Sequence, residues 1–157
     1  MFAHFFSGHL PAALEAGRQA RQSNPYDPEV SAKVATVLYL SGNWDEGAAL
    51  ARAAARTEPV PRDANLVLAL DAYRRGDYAE ASLRAEQMPG KDFLPSVLRA
   101  AALGQMKSPE AYNSLAALHR DNPDSLDAFD ERMRLRRVDP SITSSIQTGL
   151  VKAGMAR

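Results

Sequence analysis

The chain contains no cysteine. That excludes a disulfide scaffold, a thiolate metal site and a cysteine nucleophile. It has no excess of either charge, since 19 Lys+Arg are matched by 19 Asp+Glu. A dedicated nucleic-acid binder shows a basic surplus, so the balance argues against that class of partner. No apolar run approaches the roughly 18 residues that a membrane-spanning helix needs, and no membrane partner is expected. The opening Met1-Phe-Ala-His-Phe-Phe6 is apolar. It lacks a basic stretch before it and is cut short by Ser7-Gly8-His9, which argues against a secretory leader. These absences point to a cytoplasmic protein. What is present is ordinary: 157 residues, 45% hydrophobic and 24% charged. That is enough chain for one domain with its own core.

The informative feature is an internal period. Gly8, Gly42 and Gly76 are evenly spaced along the chain. Two places after each comes a large apolar residue (Leu10, Trp44, Tyr78), and five places after comes a small one (Ala13, Gly47, Ala81). Pro25 and Pro59 keep the same interval, and Ser41-Gly-Asn-Trp-Asp-Glu-Gly47 aligns without a gap on Arg75-Gly-Asp-Tyr-Ala-Glu-Ala81. Asp27-Pro28 supplies a helix N-cap and a first-position proline. Gly42 can take the left-handed conformation that closes a helix.

On these residues the chain resembles the tetratricopeptide-repeat family, whose helix–turn–helix unit recurs at this same interval, about 34 residues. Ala35 and Ala69 stand at the small position of helix A. Ala51/Ala54 and Ala85/Met88 fill the helix B positions. Ser31 and Asn65 replace the large helix A residue that the family often carries. The resemblance implies an all-α fold, a right-handed α-solenoid of helical hairpins closed by C-terminal capping helices. The expected organisation is a single domain over residues 1–157. It comprises a partial repeat at 1–25 (mainly helix B), repeats at 27–59 and 62–90, a degenerate repeat at 92–123, and capping helices at 125–157. In the degenerate unit helix A is expected over 93–103 and helix B over 109–119, with Pro89-Gly90 ending the preceding helix early. The capping helices are expected over 125–136 and from Asp139-Pro140 to Gly154.

Only residues 1–7 remain for helix A of the first unit, too few for a full one. The expectation is a C-terminal piece of a longer array, with an exposed face around Phe2, Phe5 and Phe6 able to self-associate. A narrower likeness rests on Arg75-Gly-Asp-Tyr-Ala-Glu-Ala81, Arg99-Ala-Ala-Ala-Leu-Gly-Gln105 and Thr148-Gly-Leu-Val-Lys-Ala-Gly154. These resemble the repeat region that ends certain bacterial signalling or regulatory proteins, after a winged-helix or class III nucleotide cyclase domain. No residue of either output domain is present in this sequence, so neither activity carries over.

The family resemblance implies a groove lined by helix A that binds a protein or peptide. Counted from the aligned turns, its residues are Glu29, Ala32, Lys33, Thr36 and Tyr39 in one unit and Asp63, Leu66, Leu70, Tyr73 and Arg74 in the next. Tyr39 and Tyr73, one period apart, either form successive rungs of a recognition surface or simply pack between helices. Family members that clamp a terminal carboxylate use Lys, Asn and Arg where Ala32, Thr36, Leu66 and Leu70 stand here. The groove therefore reads as suited to a helix or apolar peptide.

The chemical alternatives are thin. His4 and His9 can share a face, but His119 is far along the chain and Glu15 is poorly spaced, so no metal site is expected. Gly104-Gln-Met-Lys107-Ser108 lacks the second glycine of a phosphate loop. Thr143-Ser144-Ser145 has no nucleophile elbow. Asp45-Glu46 suits a helix start, and Asp130-Glu131 is expected to be solvated on its helix. Arg132, Arg134, Arg136 and Arg137 form the one basic cluster, read as a helix C-terminus balanced by Asp127, Asp130 and Glu131. The expected function is a non-catalytic protein-interaction module without cofactor or metal. The alternative is a dimerisation module.

Overall fold

In a computed structural model, residues 1–124 and 126–156 are described. Among them are ten α-helices and no strand, so the fold is all-α. The helices are α1 (Phe2–Phe6), α2 (Leu10–Ser23), α3 (Pro28–Leu40), α4 (Trp44–Ala54), α5 (Arg62–Arg74), α6 (Tyr78–Glu86), α7 (Phe93–Gln105), α8 (Ala111–Asp121), α9 (Phe129–Leu135) and α10 (Pro140–Ala153).

The sequence period reappears in the backbone. Helices α2, α4 and α6 begin at Leu10, Trp44 and Tyr78, each one period after the last. Helices α3 and α5 span 28–40 and 62–74, offset from each other by the same interval. Gly8, Gly42 and Gly76 all have positive φ, at 87°, 92° and 81°. Around each, the chain makes the same closing bonds: Gly8 N–H to Phe5 O, Gly42 to Tyr39 and Gly76 to Tyr73, followed by His9 to His4, Asn43 to Leu38 and Asp77 to Ala72. These are the reversed bonds that satisfy the last carbonyls of a helix.

The degenerate unit uses the same closure with a different residue. After α7, Lys107 N–H bonds to Gly104 O and Ser108 N–H to Leu103 O, and Lys107 takes φ 53°. A lysine thus fills the left-handed position that glycine fills three times earlier. Aspartates cap three helices. Asp27 accepts from the N–H of Glu29 at 2.8 Å and of Val30 at 3.2 Å, Asp77 from Glu80 at 3.1 Å, and Asp139 from Ser141 at 2.8 Å. The Ser141 hydroxyl also donates to Asp139, and its hydrogen bonds hold that carboxyl below the usual range.

Two boundaries differ from expectation. The helix expected over 125–136 is only Phe129–Leu135, with 126–128 in turns, while Ser125 lies outside the described residues, as does Arg157 at the far end. Helix α8 starts at Ala111 rather than 109, because Pro109-Glu110 forms a turn in which the Ser108 hydroxyl accepts from Glu110 N–H at 3.2 Å.

The chain packs as two compact units, Met1–Leu68 and Ala69–Arg157, with the break inside α5. In the first unit, α3 packs on α2 and α4, and α1 packs on α2. Phe5, Ala13 and Val37 form a buried cluster flanked by Met1, Phe2, Leu10, Leu14 and Leu40. The α3–α4 crossing is close: a Cβ on Gly47 would lie 2.7 Å from the Tyr39 nitrogen and 2.9 Å from its Cα.

The second unit is organised around α7, ten of whose thirteen residues are buried. A helix apolar on all sides must be surrounded, and α6, α8 and α10 pack around it. Helix α10 contributes Ile142, Ile146 and Leu150, and ends on Gly154 at φ 115°. It meets α7 through small residues. A Cβ on Gly104 would collide with the Gly149 carbonyl oxygen, and one on Gly149 would fall 2.6 Å from the Ala101 oxygen.

Candidate functional site

In the first unit the helix A residues separate into two groups. Ala32, Thr36 and Tyr39 are buried, and the Thr36 hydroxyl is turned back onto the Ala32 carbonyl at 3.1 Å. Tyr39 is only 1% exposed. Its backbone lines the α3–α4 crossing. What remains accessible on α3 is Glu29 and Lys33, one turn apart. On the first part of α5, Asp63 and Leu66 are half-buried.

These residues are brought together electrostatically. Burial pushes the Asp63 carboxyl above its usual range. Lys33 opposes that shift, Glu29 adds to it and Arg62 opposes it. Asp63 is therefore a partly desolvated carboxylate that feels both exposed charges of α3. Leu66 lies one turn further along α5, on the adjoining part of the same helix face. The accessible remainder of the expected groove in this unit is a small polar cluster, Glu29, Lys33 and Asp63, beside one aliphatic side chain.

The second-unit residues of the expected groove are structural. Leu70 and Tyr73 are each 1% exposed. The Tyr73 hydroxyl donates to the Ser145 carbonyl of α10 at 3.0 Å, and the Gln105 amide donates to the hydroxyl at 3.4 Å. The Tyr73 ring meets that of Tyr78 edge-on at 5.1 Å. Burial pushes the phenol up to about 12. Arg74 pairs with buried Asp71 at 3.0 Å, and Arg75 joins the same carboxylate at 2.9 Å. Tyr39 and Tyr73 are each 1% exposed, which fits the packing alternative for both.

The aromatic N-terminal face is also only partly as expected. Phe5 is 3% exposed and lies in the core with Ala13 and Val37. Phe2 is half-buried, and Phe6 is 48% exposed. Phe6 contacts Phe5 edge-on at 5.2 Å and Phe2 at 6.2 Å. With a period of 3.6, Phe2 and Phe6 share one side of a short helix while Phe5 turns inward.

The other candidates are spread out. His4 and His9 meet edge-on at 6.4 Å. His119 borders a groove of 820 Å³ in the second unit, with Asp127, Ser144, Thr148 and Lys152 on its walls. Among the described residues no three His, Asp or Glu side chains gather as metal ligands would. No helix among them is long and apolar enough to cross a membrane.

One arrangement is not visible in the sequence. Arg132 and Arg136 of α9 both lie over the ring of Phe93, the first residue of α7, with guanidinium carbons 5.3 and 4.9 Å from its centroid. The i, i+4 spacing placed the two arginines on one helix face, but nothing in the local pattern named a phenyl ring two helices back in the chain.

No family model, curated protein or solved structure matches this chain.

Proposed function

We propose that the chain is a tetratricopeptide-like repeat module, a right-handed solenoid of helical hairpins, that acts without catalysis as a protein-interaction element, as part of a bacterial regulatory or signalling protein. The observation that carries this reading is the coincidence of periods. One spacing governs residue type, helix start and the positive-φ closure at Gly8, Gly42 and Gly76. Repeats of this kind supply rigid surfaces on which side chains are already ordered, so modest contacts give useful affinity.

The recognition surface is narrower than the full set of helix A positions. It is Glu29, Lys33, Asp63 and Leu66 in the first unit, with Tyr39 and Tyr73 as framework. The partner that suits it is a helix or extended peptide that sets an apolar side chain on Leu66 and polar groups against the three charges. The cost of half-burying the Asp63 carboxyl fits a residue retained for contact rather than for stability.

The test is affinity capture with wild type and the surface variants Lys33→Glu and Leu66→Asp, followed by titration of the purified partner. Circular dichroism checks that the variants fold. A partner that loses at least tenfold in affinity for both variants supports the reading. Unchanged affinity for both defeats it.

Self-association is a second reading, supported by Phe6 at 48% exposure beside half-buried Phe2. It requires a mass that rises with concentration and returns to the monomer value in Phe6→Asp. Phe5→Asp is unsuitable because it charges the core.

A further inference from the structure

The Arg132–Arg136 pair is the strongest feature that the groove reading leaves unused. Phe93 is 3% exposed and is backed by Phe129, also 3% exposed, at 6.4 Å and 60°. The two arginine side chains, half-buried, therefore lie against a fixed aromatic wall. Stacking on an aromatic face orders a guanidinium while leaving its edge donors available. Arg136 spends one of those donors, Nη1, on the Arg132 carbonyl at 3.2 Å. Among the described residues, neither Arg132 nor Arg136 forms an ion pair with a carboxylate. Nearby arginines do: Arg134 with Glu131 at 3.9 Å, and Arg99 with Glu86 and Glu110 at 3.4 and 3.7 Å.

Two positive groups are thus held on one ring without a countercharge bonded to either. Burial, then the charge of Arg132, holds the Arg136 guanidinium below its usual value, and Asp92 opposes this only in part. The ring also belongs to the first residue of α7, whose N-cap Asp92 makes no side-chain cap bond. The positive end of that helix adds to the same field.

We propose that Arg132 and Arg136, braced on Phe93, form a binding site for a phosphate-class dianion, either inorganic phosphate or a phosphate monoester. Two guanidiniums present planar forks that match phosphate oxygens. Their combined charge matches the roughly −1.5 to −2 that a phosphate monoester carries near pH 7. A single carboxylate neutralises only half of the pair. The site lies within the second unit and stands whether or not the first-unit surface binds a peptide.

The experiment is calorimetric titration of the full chain with inorganic phosphate at fixed ionic strength, with chloride and acetate as controls. The ¹⁵N signals of the arginine Nε–H groups are followed in parallel. Wild type is expected to bind one phosphate and to shift the Arg132 and Arg136 signals. Arg132→Gln and Arg136→Gln are expected to weaken binding at least tenfold. The double Lys variant keeps the charges and the covering stems but loses the forks, and is expected to weaken it several-fold. Asp92→Asn, which removes an opposing charge, is expected to tighten it. A phosphoserine peptide that binds better than inorganic phosphate, while its unmodified form does not bind, assigns the ligand to a modified protein. Equal affinities assign it to a small phosphate. Phosphate responses no larger than those of acetate, or binding unchanged in the folded Lys double variant and in both Gln variants, overturn the proposal.

Discussion

The Tyr73 hydroxyl donates a hydrogen bond to the Ser145 carbonyl, far along the chain, at 3.0 Å. This bond ties the end of α5 to the middle of α10, and Gln105 of α7 donates into it at 3.4 Å. The same Gln105 amide accepts from Lys152 Nζ at 2.7 Å. Tyr73 is thus the point at which three helices of the second unit share a polar contact.

Tyr73→Phe tests that role. It removes the donor and leaves a helix carbonyl without it, at a cost of about 1–2 kcal/mol. The midpoint of denaturant unfolding should fall while the slope is unchanged. Amides of α10 should exchange faster than those of α8. A shift confined to α5, with α10 unaffected, would show that the hydroxyl does not hold the C-terminal helix.

Gly149→Ala probes the same interface by crowding. The added methyl would lie 2.5 Å from the Tyr73 hydroxyl and 2.6 Å from the Ala101 oxygen. Because part of the obstruction is helix backbone, relief requires α10 to move away from α7. The loss should be about 1–3 kcal/mol or more. Gln147→Ala, at an exposed position of the same helix, serves as the control, and its thermal midpoint should stay close to wild type.

The left-handed closures give a paired prediction of opposite sign. Lys107 sits at φ 53°, where a side chain costs about 1–2 kcal/mol relative to glycine before the extra chain entropy of glycine is counted. Lys107→Gly should therefore stabilise the chain by about 0.5–1 kcal/mol. Gly42→Ala should destabilise it by about 1 kcal/mol through backbone strain alone, since nothing lies within 4 Å of the added Cβ. Thermal unfolding of both variants checks the pair. Equal and negligible shifts would mean that the turns relax freely.

The period, two of the aspartate caps and the helix starts that follow them were legible in the sequence because they are set within one turn of chain. Gly8, Gly42 and Gly76 and the Asp27-Pro28 and Asp139-Pro140 starts all belong to that local grammar. What the sequence could not resolve was which side of a helix is covered by residues far away. Tyr39 and Tyr73 have a surface-compatible side chain, yet each is 1% exposed, and Tyr73 is tied down by the Ser145 carbonyl of a distant helix. Phe5 and Phe6 are adjacent in sequence and identical in kind, yet the helical turn sends one into the core with Val37 and leaves the other half exposed. Lys107 concealed the fourth closure because the backbone shape persisted where the residue type did not. Arg132 and Arg136 were legible as part of a basic helix C-terminus. Their shared ring was not, because Phe93 comes from another helix.

The ionisation of Tyr73 and Asp63 makes the final prediction, with two windows of pH. Burial raises the Tyr73 phenol to about 12, against 10.0 for the free group. The native state then holds its proton more tightly than the unfolded chain. The associated stability is full below about pH 10 and is lost as pH rises from 10 toward 12, an effect on the order of 2 kcal/mol. Unfolding midpoints measured from pH 9 to 11.5 should fall more steeply in wild type than in Tyr73→Phe. Asp63 is likewise raised, by burial above all. Its ionisation therefore opposes folding once pH climbs from about 3.8 through its native value. Asp63→Asn should raise the thermal midpoint at pH 7 and leave it little changed at pH 3, where the wild-type carboxyl is already largely neutral. If Asp63→Asn lowers the midpoint at pH 7, the carboxylate contributes attraction to Lys33 that outweighs its burial, and Asp63 is a structural ion pair rather than a strained contact residue.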